Sequence, residues 1–213
     1  MKVGVLGSGS VGQTLATGFL NNNYQTMIGT EHPEKLQGWL EKYKKGKVGN
    51  FQEASAFGEI IVLAVKGIAA KKVLNLAGEK NIKNKIVIDA TNPIAEQPPV
   101  NGVLQFFTSL DNSLMEQLQS AYPEAKFVKA FNSIGNAFMV NPDFGKVKPS
   151  MFICGNDKEA KKEVGKILEE FGFEVEDMGK AEAARAIEPL CMLWCIPGFL
   201  RNEWSHAFKL LKK

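Results

Sequence analysis

Three glycines near the start of the chain have the spacing of a phosphate-binding loop. Gly7, Gly9 and Gly12 follow the apolar stretch Met1 to Leu6 directly, and a helical pattern begins at Ser10. In such a strand–loop–helix unit, the three glycines permit a tight turn, the approach of a pyrophosphate, and close helix–strand packing, respectively. The amides that open the helix would donate to phosphate oxygens at the positive end of the helix dipole. A merely tight turn is the alternative. The motif predicts a dinucleotide-binding loop made of Gly7, Ser8, Gly9, Ser10, Val11 and Gly12.

The stretch IGTEHPEK, which follows this unit, combines two opposite kinds of ribose-binding group. A carboxylate about 20 residues after the last glycine binds the adenosine ribose of NAD, whereas hydroxyls and cations bind the 2′-phosphate of NADP. Glu31 is of the first kind, and Thr30, His32 and Lys35 are of the second. Thr30 and Glu31 lie 18 and 19 residues after the last glycine. Adjacent residues of an extended chain point to opposite sides, so the spacing does not decide which one faces the ribose.

Apolar strand patterns alternate with helical patterns along the chain. Strands are predicted at 1–6, 24–28, 59–65, 85–90 and 125–131, with a short strand and a short helix near residues 47–58. This alternation predicts an α/β, Rossmann-type, doubly wound and mainly parallel sheet with helices on both faces. A short α/β extension follows Pro149, with a strand at 151–154, a helix at 157–171 and a strand at 173–178. We expect a helical tail from about Ala181, interrupted at Pro197-Gly198 and resuming to Lys213.

Ligands of open α/β sheets lie beyond the carboxyl ends of the strands. Besides the end at Thr30, the predicted ends are Val65–Lys66, Thr91–Asn92 and Asn132–Ser133. The amide side chains of Asn92 and Asn132 could hold a nicotinamide carboxamide or a ribose there, although an asparagine that only forms a turn is the alternative for each.

Composition limits the remaining classes of function. The chain has 213 residues, of which 45% are hydrophobic and 23% charged, with a net charge of +3. Its lysines are scattered, so we expect no nucleic-acid interface. No apolar run approaches the length of a membrane span, and the start of the chain does not resemble a signal peptide. The three cysteines are predicted to be buried free thiols, not a metal site. A cytoplasmic location without membrane contact is the expectation.

Five stretches carry a family resemblance: MKVGVLGSGSVGQTLATGF, IVIDATNPI, VKAFNSIGN, RAIEPLCMLW and AFKLL. They resemble the deazaflavin-dependent NADP oxidoreductase family, which includes reductases of coenzyme F-420. The cytosolic domain of six-transmembrane metalloreductases is also similar. The resemblance implies hydride transfer between NADP(H) and a flat acceptor such as a deazaflavin or flavin, or a chelated ferric ion. Alignment of two rings then suffices, and no catalytic side chain is expected.

Site residues follow from the resemblance by position. The glycine loop would hold the pyrophosphate, and Thr30 and Lys35 match a hydroxyl and a lysine that contact the 2′-phosphate. Asn92 would lie near the nicotinamide, with the pocket for the acceptor at Asn132, Ser133, Ile134 and Gly135. We expect a dinucleotide-binding domain at 1–133 and an extension at 134–213 that completes this pocket, or one compact domain. The EPLCMLW helix would close the pocket or form a homodimer contact. Core packing is the alternative for Leu190, Leu193 and Trp194.

The chain departs from the family pattern at residue 31, where members usually carry an arginine. Glu31 would repel a 2′-phosphate, and Lys35 opposes that effect, so the sequence favours NADP(H) over NAD(H) by a small margin. Two other functions stay open on the same framework. One is the reduction of a small imine or hydroxy acid, and the other is a non-catalytic NAD(P)H-binding redox sensor.

Overall fold

The central sheet consists of six parallel strands in the computed structural model, which describes residues 1–213. The strands are β1 (Lys2–Leu6), β2 (Gln25–Gly29), β3 (Lys47–Gly49), β4 (Ile60–Leu63), β5 (Ile86–Asp89) and β6 (Lys126–Lys129). They are arranged in the order β3-β2-β1-β4-β5-β6. This is the strand order of the doubly wound dinucleotide-binding fold, with its switch point beside β1. The predicted fold class is confirmed.

Helices cover both faces of this sheet. They are α1 (Ser10–Asn21), α2 (Gln37–Lys42), α3 (Phe51–Phe57), α4 (Gly67–Ala77), α5 (Glu79–Ile82) and α6 (Leu114–Ala121). Alternate strand residues enter different hydrophobic clusters: Ile60 and Val62 of β4 belong to one cluster, and Ile61 and Leu63 belong to the other. The strand is therefore buried on both faces, as its unbroken apolar sequence predicted. The short helix α5 was not predicted.

The register of the sheet aligns the carboxyl ends of five strands. Gly29 pairs with Leu6, Leu6 with Leu63, Leu63 with Asp89, and Asp89 with Lys129. The first residues beyond this row begin the loops that leave the sheet. Each predicted site residue lies in one of those loops or in the helix that follows it, so the register brings the loops to one edge.

The chain beyond β6 forms a smaller α/β layer. Its elements are β7 (Ser150–Ile153), α7 (Lys158–Glu170), β8 (Glu174–Asp177) and α8 (Ala184–Arg201). β7 and β8 pair in parallel, and an antiparallel bridge between Lys129 and Cys154 joins this layer to β6. Met151 and Phe173 belong to the same hydrophobic cluster as Val3. The domain boundary at residue 133 stays a prediction.

The predicted helical tail begins where expected, near Ala181, but its predicted interruption and its predicted end are wrong. α8 continues through Pro197-Gly198 and ends at Arg201, and residues 202–213 form no helix. A proline lacks an amide donor and crowds the carbonyl four residues before it, but helical hydrogen bonding resumes beyond Pro197, since the Asn202 amide donates to the Gly198 carbonyl at 2.9 Å. The helix ends because Asn202 adopts the left-handed conformation, with φ 55° and ψ 33°.

Aromatic packing turns the tail back along α8. The Trp204 ring lies against Gly198, where an added Cβ would come within 2.3 Å of the ring. The His206 ring stacks on Trp194 at 4.8 Å, and the Trp194 indole donates to the His206 carbonyl at 2.9 Å. His206, which was expected in the tail helix, therefore lies in a non-helical segment held by Trp194.

One helical stretch is longer and more apolar than the sequence led us to expect. Ala181–Arg201 could cross a membrane by length and composition, with a mean hydropathy of 1.3, and a third of it is buried within the chain. Core helices of soluble proteins meet the same criterion. Glu188 in this stretch is buried against Lys129, so this face of the helix packs on protein.

Candidate dinucleotide and acceptor site

The glycine loop follows β1 and opens α1, as predicted. Gly7 has a φ of +129°, and an added Cβ would lie 2.2 Å from the Ala64 carbonyl oxygen. An added Cβ on Gly12 would lie 2.0 Å from the Gly7 carbonyl oxygen. These two glycines are therefore required by the packing of the chain itself. Gly9 differs, because no atom lies within 4 Å of the position its Cβ would occupy.

The start of α1 is free to receive an anion. Gly9 is its N-cap and gives no side-chain cap, and the first turn contains no acidic residue. The first amides of a helix have no partner within the helix and carry the positive end of its dipole. Ser10 is exposed and Val11 half-buried. Neutral, uncapped amides at a glycine loop can hold a phosphate group.

Thr30 fastens the end of β2 to the glycine loop. Its side chain is buried, and its Oγ1 lies 2.8 Å from the Ser8 Oγ and accepts the His32 amide at 3.1 Å. The Ser8 carbonyl in turn accepts the Gln13 side-chain amide at 2.8 Å. The Thr30 hydroxyl therefore holds two loops together at the predicted ribose end of the site.

Glu31 points to a lysine that the sequence did not single out. Both of its carboxylate oxygens accept from the Lys72 ammonium of α4, at 3.1 and 3.2 Å. The side chains are about half exposed, at 51% for Glu31 and 65% for Lys72. The carboxylate beside the ribose position is thus already neutralised by a cation within the same chain.

The other predicted residues at this end are exposed or half-buried. His32 lies 3.2 Å from the Glu34 carboxylate. Lys35 and Lys66 are exposed and form no ion pair with a carboxylate, and Val65 lies beside Gly7. This edge therefore carries lysines whose charge is not balanced locally.

At the opposite end of the edge, two asparagines link the loops after β5 and β6. The Asn92 side chain donates to the Asn132 carbonyl at 2.8 Å, and the Asn132 side chain donates to Asn92 Oδ1 at 3.2 Å and to the Ile187 carbonyl at 2.9 Å. Asn132 Oδ1 is buried without a hydrogen-bond partner. Leaving a buried acceptor unsatisfied costs about 1–3 kcal/mol, so this oxygen is suited to a donor from a ligand.

The chain turns sharply into the predicted acceptor segment. Phe131 is buried and has a φ of +63°, a conformation that is strained in a non-glycine residue and occurs often at functional sites. Ser133 and Ile134 are buried, and Gly135 lies against the Trp194 ring, which an added Cβ would approach to 2.8 Å. Residues 132–135 are thus held between the sheet end and α8.

A buried ion network lies beneath this segment, and sequence reasoning missed it. The Lys129 ammonium is 2.7 Å from Asp89 Oδ2 and 3.0 Å from Glu188 Oε1, and it donates to the Thr91 carbonyl at 2.9 Å. Burial alone would lower the pKa of Lys129, but the carboxylates of Asp89 and Glu188 raise it on balance. Lys129 therefore stays charged and ties the loop that carries Asn92 to α8.

Glu188 completes the network by capping another helix. Its two oxygens accept the amides of Leu114 and Met115 at 3.0 Å each, at the start of α6. Asp89 Oδ1 accepts the Thr91 amide at 2.9 Å and the Thr91 hydroxyl at 2.7 Å. Asp89 and Glu188 together carry one more negative charge than Lys129 balances. The N-terminus of α6 and the two Thr91 donors offset this excess.

One signal in the sequence could have located the network. Asp89 ends the apolar strand β5, and Lys129 follows the buried pair Phe127 and Val128 at the end of β6. Charged residues in buried strands need partners. Their pairing in the register, Asp89 opposite Lys129, makes them neighbours. Nothing comparable in the sequence identifies Lys72, whose position on α4 relative to Glu31 depends on the packed fold.

The strand order and the glycine loop define a dinucleotide-binding protein of the Rossmann class. Comparison with known proteins narrows this class. Residues 2–93 match the family model described as coenzyme F420-dependent NADP oxidoreductase. A crystal structure of a candidate F420-dependent NADP-reductase from Arthrobacter sp. FB24 superposes with a TM-score of 0.93 and 31% identity, covering 100% of both chains. The chain belongs to the family of coenzyme F420-dependent NADP oxidoreductases, and the predicted membership is confirmed.

Two curated relatives extend the comparison over most of the chain. The F420-dependent NADP reductase of Methanocaldococcus jannaschii is 28% identical, with coverage of 91% of this chain and 90% of the relative. The rat metalloreductase STEAP3 is 31% identical over 93% of this chain, which spans only 39% of the length of that relative. The name of the first relative gives NADP and F420, and the name of the second gives metal reduction, so the two names point to different second substrates.

Proposed function

We propose that this chain binds NADP(H) along the carboxyl edge of the sheet and transfers a hydride between its nicotinamide and a flat electron acceptor. The dinucleotide supplies the hydride when it is bound. The protein holds the pyrophosphate at residues 7–12, holds the nicotinamide end near Asn92 and Asn132, and excludes water with residues 132–135. Proximity and orientation are then the main sources of rate. The family membership supports the oxidoreductase class, and the acceptor is part of the proposal.

The observation that carries the proposal is the contrast among the three glycines. Gly7 and Gly12 are explained by contacts with Ala64 and with Gly7 itself, whereas Gly9 has open space in place of a side chain. An exposed N-cap position usually carries a residue with a capping side chain. A glycine there, facing no protein atom, fits a loop that leaves room for a phosphate group.

The nicotinamide end supports the same assignment. Asn132 Oδ1 is a buried acceptor without a partner, and a carboxamide is a hydrogen-bond donor of the kind this oxygen lacks. The buried contacts of Lys129 hold the loop that carries Asn92 from below, so these groups are fixed before a ligand binds. Preorganisation of this kind is what a reaction by alignment of two rings requires.

The preference for NADP(H) over NAD(H) rests on charge. Glu31 is paired with Lys72, and Lys35 and Lys66 have no carboxylate partner. The local balance therefore favours a ligand with the additional negative charge of a 2′-phosphate, although the arginine usual in the family is missing. The two relatives named as F420-dependent NADP reductases support the same cofactor.

The acceptor proposed for this chain is a deazaflavin, a flavin or a chelated ferric ion. The relative named for F420 supports the deazaflavin, and the relative named for metal reduction supports the chelated metal ion. A flavin is included because its ring system is flat like that of a deazaflavin. A cytoplasmic location and a homodimer complete the proposal. A set of single-turnover assays with coenzyme F-420, FMN, riboflavin and ferric citrate would identify the acceptor. Absence of NADPH oxidation above the rate without enzyme, for all four, would contradict the enzyme and favour a redox sensor.

The placement of the cofactor is tested by Gly9→Asp. A carboxylate at this position would fill the space beside the uncapped amides and repel a pyrophosphate, so we expect NADPH binding to weaken by about 100-fold or more. Gly38→Asp is the matched control, because Gly38 is also exposed on a helix and an added Cβ there meets no atom within 4 Å. Titration calorimetry gives both affinities. Equal NADPH binding by the two variants would disprove the placement.

A further inference from the structure

Lys72 and Glu31 form a contact across the predicted adenosine end of the site. β2 and β4 lie on either side of β1 in the sheet. Glu31 follows β2, and Lys72 lies in the helix that follows β4. A contact between them therefore crosses the end of β1, which is where the glycine loop begins.

Because Thr30 is buried, Glu31 and Lys72 are among the side chains that this end presents to a ligand, together with the exposed Lys35. The Thr30 side chain is turned toward Ser8 and is nearly inaccessible. Glu31 faces Lys72 with both oxygens, and both side chains are about half exposed or more. A dinucleotide whose pyrophosphate lies on the glycine loop would bring its adenosine ribose toward this pair.

We infer that Lys72 binds the 2′-phosphate of NADP(H), and that Glu31 occupies Lys72 when the phosphate is absent. This inference rests on the proposed function. An exposed ion pair contributes little to stability, so a ligand can separate it at low cost. A ribose phosphate carries close to two negative charges at neutral pH, more than the carboxylate that it would displace.

The same pair acts against NAD(H). To accept hydrogen bonds from the two hydroxyls of the NAD(H) ribose, Glu31 would have to leave Lys72. The Lys72 ammonium would then lie unpaired beside a neutral ribose. Lys72 therefore favours NADPH by contact and disfavours NADH by holding Glu31. The family usually places an arginine at residue 31. In this chain Lys72, on helix α4, supplies the cation instead.

The test measures NADPH and NADH dissociation constants for Lys72→Met by titration calorimetry. We expect NADPH to bind about ten-fold more weakly or worse, because a charge-assisted hydrogen bond is lost. NADH should bind as well as before or more tightly, since Glu31 is released. Lys71→Met is the matched control: Lys71 is the adjacent exposed lysine on α4 and has no ion-pair partner. Its NADPH/NADH ratio should stay within about two-fold of wild type.

A pair of variants in the Glu31→Gln background distinguishes direct contact between Lys72 and the phosphate from a role of Lys72 that is limited to neutralising Glu31. In Glu31→Gln, Lys72 is free, and we expect NADPH to bind more tightly than in wild type. Adding Lys72→Met to this background should again weaken NADPH by about ten-fold. If the lysine substitution has no effect without Glu31, Lys72 only masks Glu31 and the inference is wrong.

Ionic strength gives an independent readout. The preference of the wild type for NADPH should decrease with added salt, because an exposed charge–phosphate contact is screened. The same decrease should be smaller in Lys72→Met. An identical salt dependence in the two proteins would overturn the inference.

The outcomes distinguish this inference from the proposed function. If the wild type binds neither dinucleotide, the proposed function fails and the role of Lys72 fails with it. If the wild type binds both, and Lys72→Met and Lys71→Met have the same NADPH/NADH ratio, only the inference about Lys72 fails. Thermal unfolding of each variant verifies that the fold is retained, which we expect because both lysines are exposed.

Discussion

Replacement of Lys129 by methionine tests how much the buried ion network contributes to the stability of the fold. The ammonium lies 2.7 Å from Asp89 and 3.0 Å from Glu188, and the three side chains are at most 2% exposed. Breaking a buried pair by removing one partner costs about 3–5 kcal/mol, because it leaves an uncompensated buried charge. Both carboxylates keep their other donors, so we expect a loss within this range at pH 8 and not twice as much.

The dependence of this loss on pH identifies its cause. Without Lys129, burial and mutual repulsion should raise the pKa of the two carboxyl groups in the folded state above the values in the unfolded chain. The folded state then binds more protons than the unfolded state as pH falls, so acidification stabilises the variant relative to wild type. The deficit in unfolding free energy should therefore shrink between pH 8 and pH 5.

Urea denaturation at both pH values measures these free energies by linear extrapolation. Lys126→Met is the matched control, because Lys126 lies on the same strand and its ion pair with Asp157 is 40% and 31% exposed. That pair should contribute at most about 1 kcal/mol. The double variant Lys129→Met/Asp89→Asn removes one of the uncompensated charges and keeps an oxygen that accepts from Thr91, so it should be no less stable than the single variant. A loss below about 1 kcal/mol for Lys129→Met, or a deficit that grows on acidification, would refute the reasoning.

Two further predictions concern stability. Gly7→Ala should lower the unfolding free energy by about 2 kcal/mol or more, because the new Cβ would lie 2.2 Å from the Ala64 carbonyl oxygen at a φ of +129°. Gly9→Ala should lower it by at most about 1 kcal/mol. Equal melting temperatures of the two variants would contradict this prediction. The Arg185 guanidinium holds the pKa of Glu116 at about 2, below its ordinary value, so the stabilisation by this pair is present above about pH 4.5 and is lost as pH falls through about 2; Arg185→Met should therefore unfold at a higher pH during acid titration followed by circular dichroism.

The central sheet could be predicted from the sequence because each strand is an unbroken apolar run between turn residues. The glycine loop could also be predicted from the sequence, since its spacing follows from the contacts that Gly7 and Gly12 make with the backbone. The tail could not, because Pro197 and Gly198 usually end a helix. Packing of Trp204 on Gly198 and the left-handed Asn202 decided the outcome, and neither the position of the ring nor the backbone conformation follows from residue types and spacing alone.

The sequence predicted which loops come together at the candidate site, but it did not predict which side chains contact one another there. Parallel strands bring their carboxyl ends together, so the sequence order alone grouped Thr30, Val65, Asn92 and Asn132. The direction of each side chain depends on neighbours that periodicity does not reveal. Thr30 turns to Ser8, and Glu31 turns to Lys72 on a helix 41 residues further along the chain.

Under the proposed function the site has an adenosine end and a nicotinamide end, which are stabilised in different ways, and this has a consequence for specificity. The adenosine end depends on exposed charges, such as Glu31 and Lys72, which contribute little to folding and can be exchanged without loss of the fold. The nicotinamide end depends on buried polar contacts of Lys129 and Asn132, where each substitution also affects stability. If the proposed function holds, the choice between NADP and NAD can change through surface substitutions alone, while the geometry that would align the nicotinamide with an acceptor is constrained by the core. An exposed glutamate in place of the family's arginine, together with an intact buried network, is the pattern that this division of roles predicts.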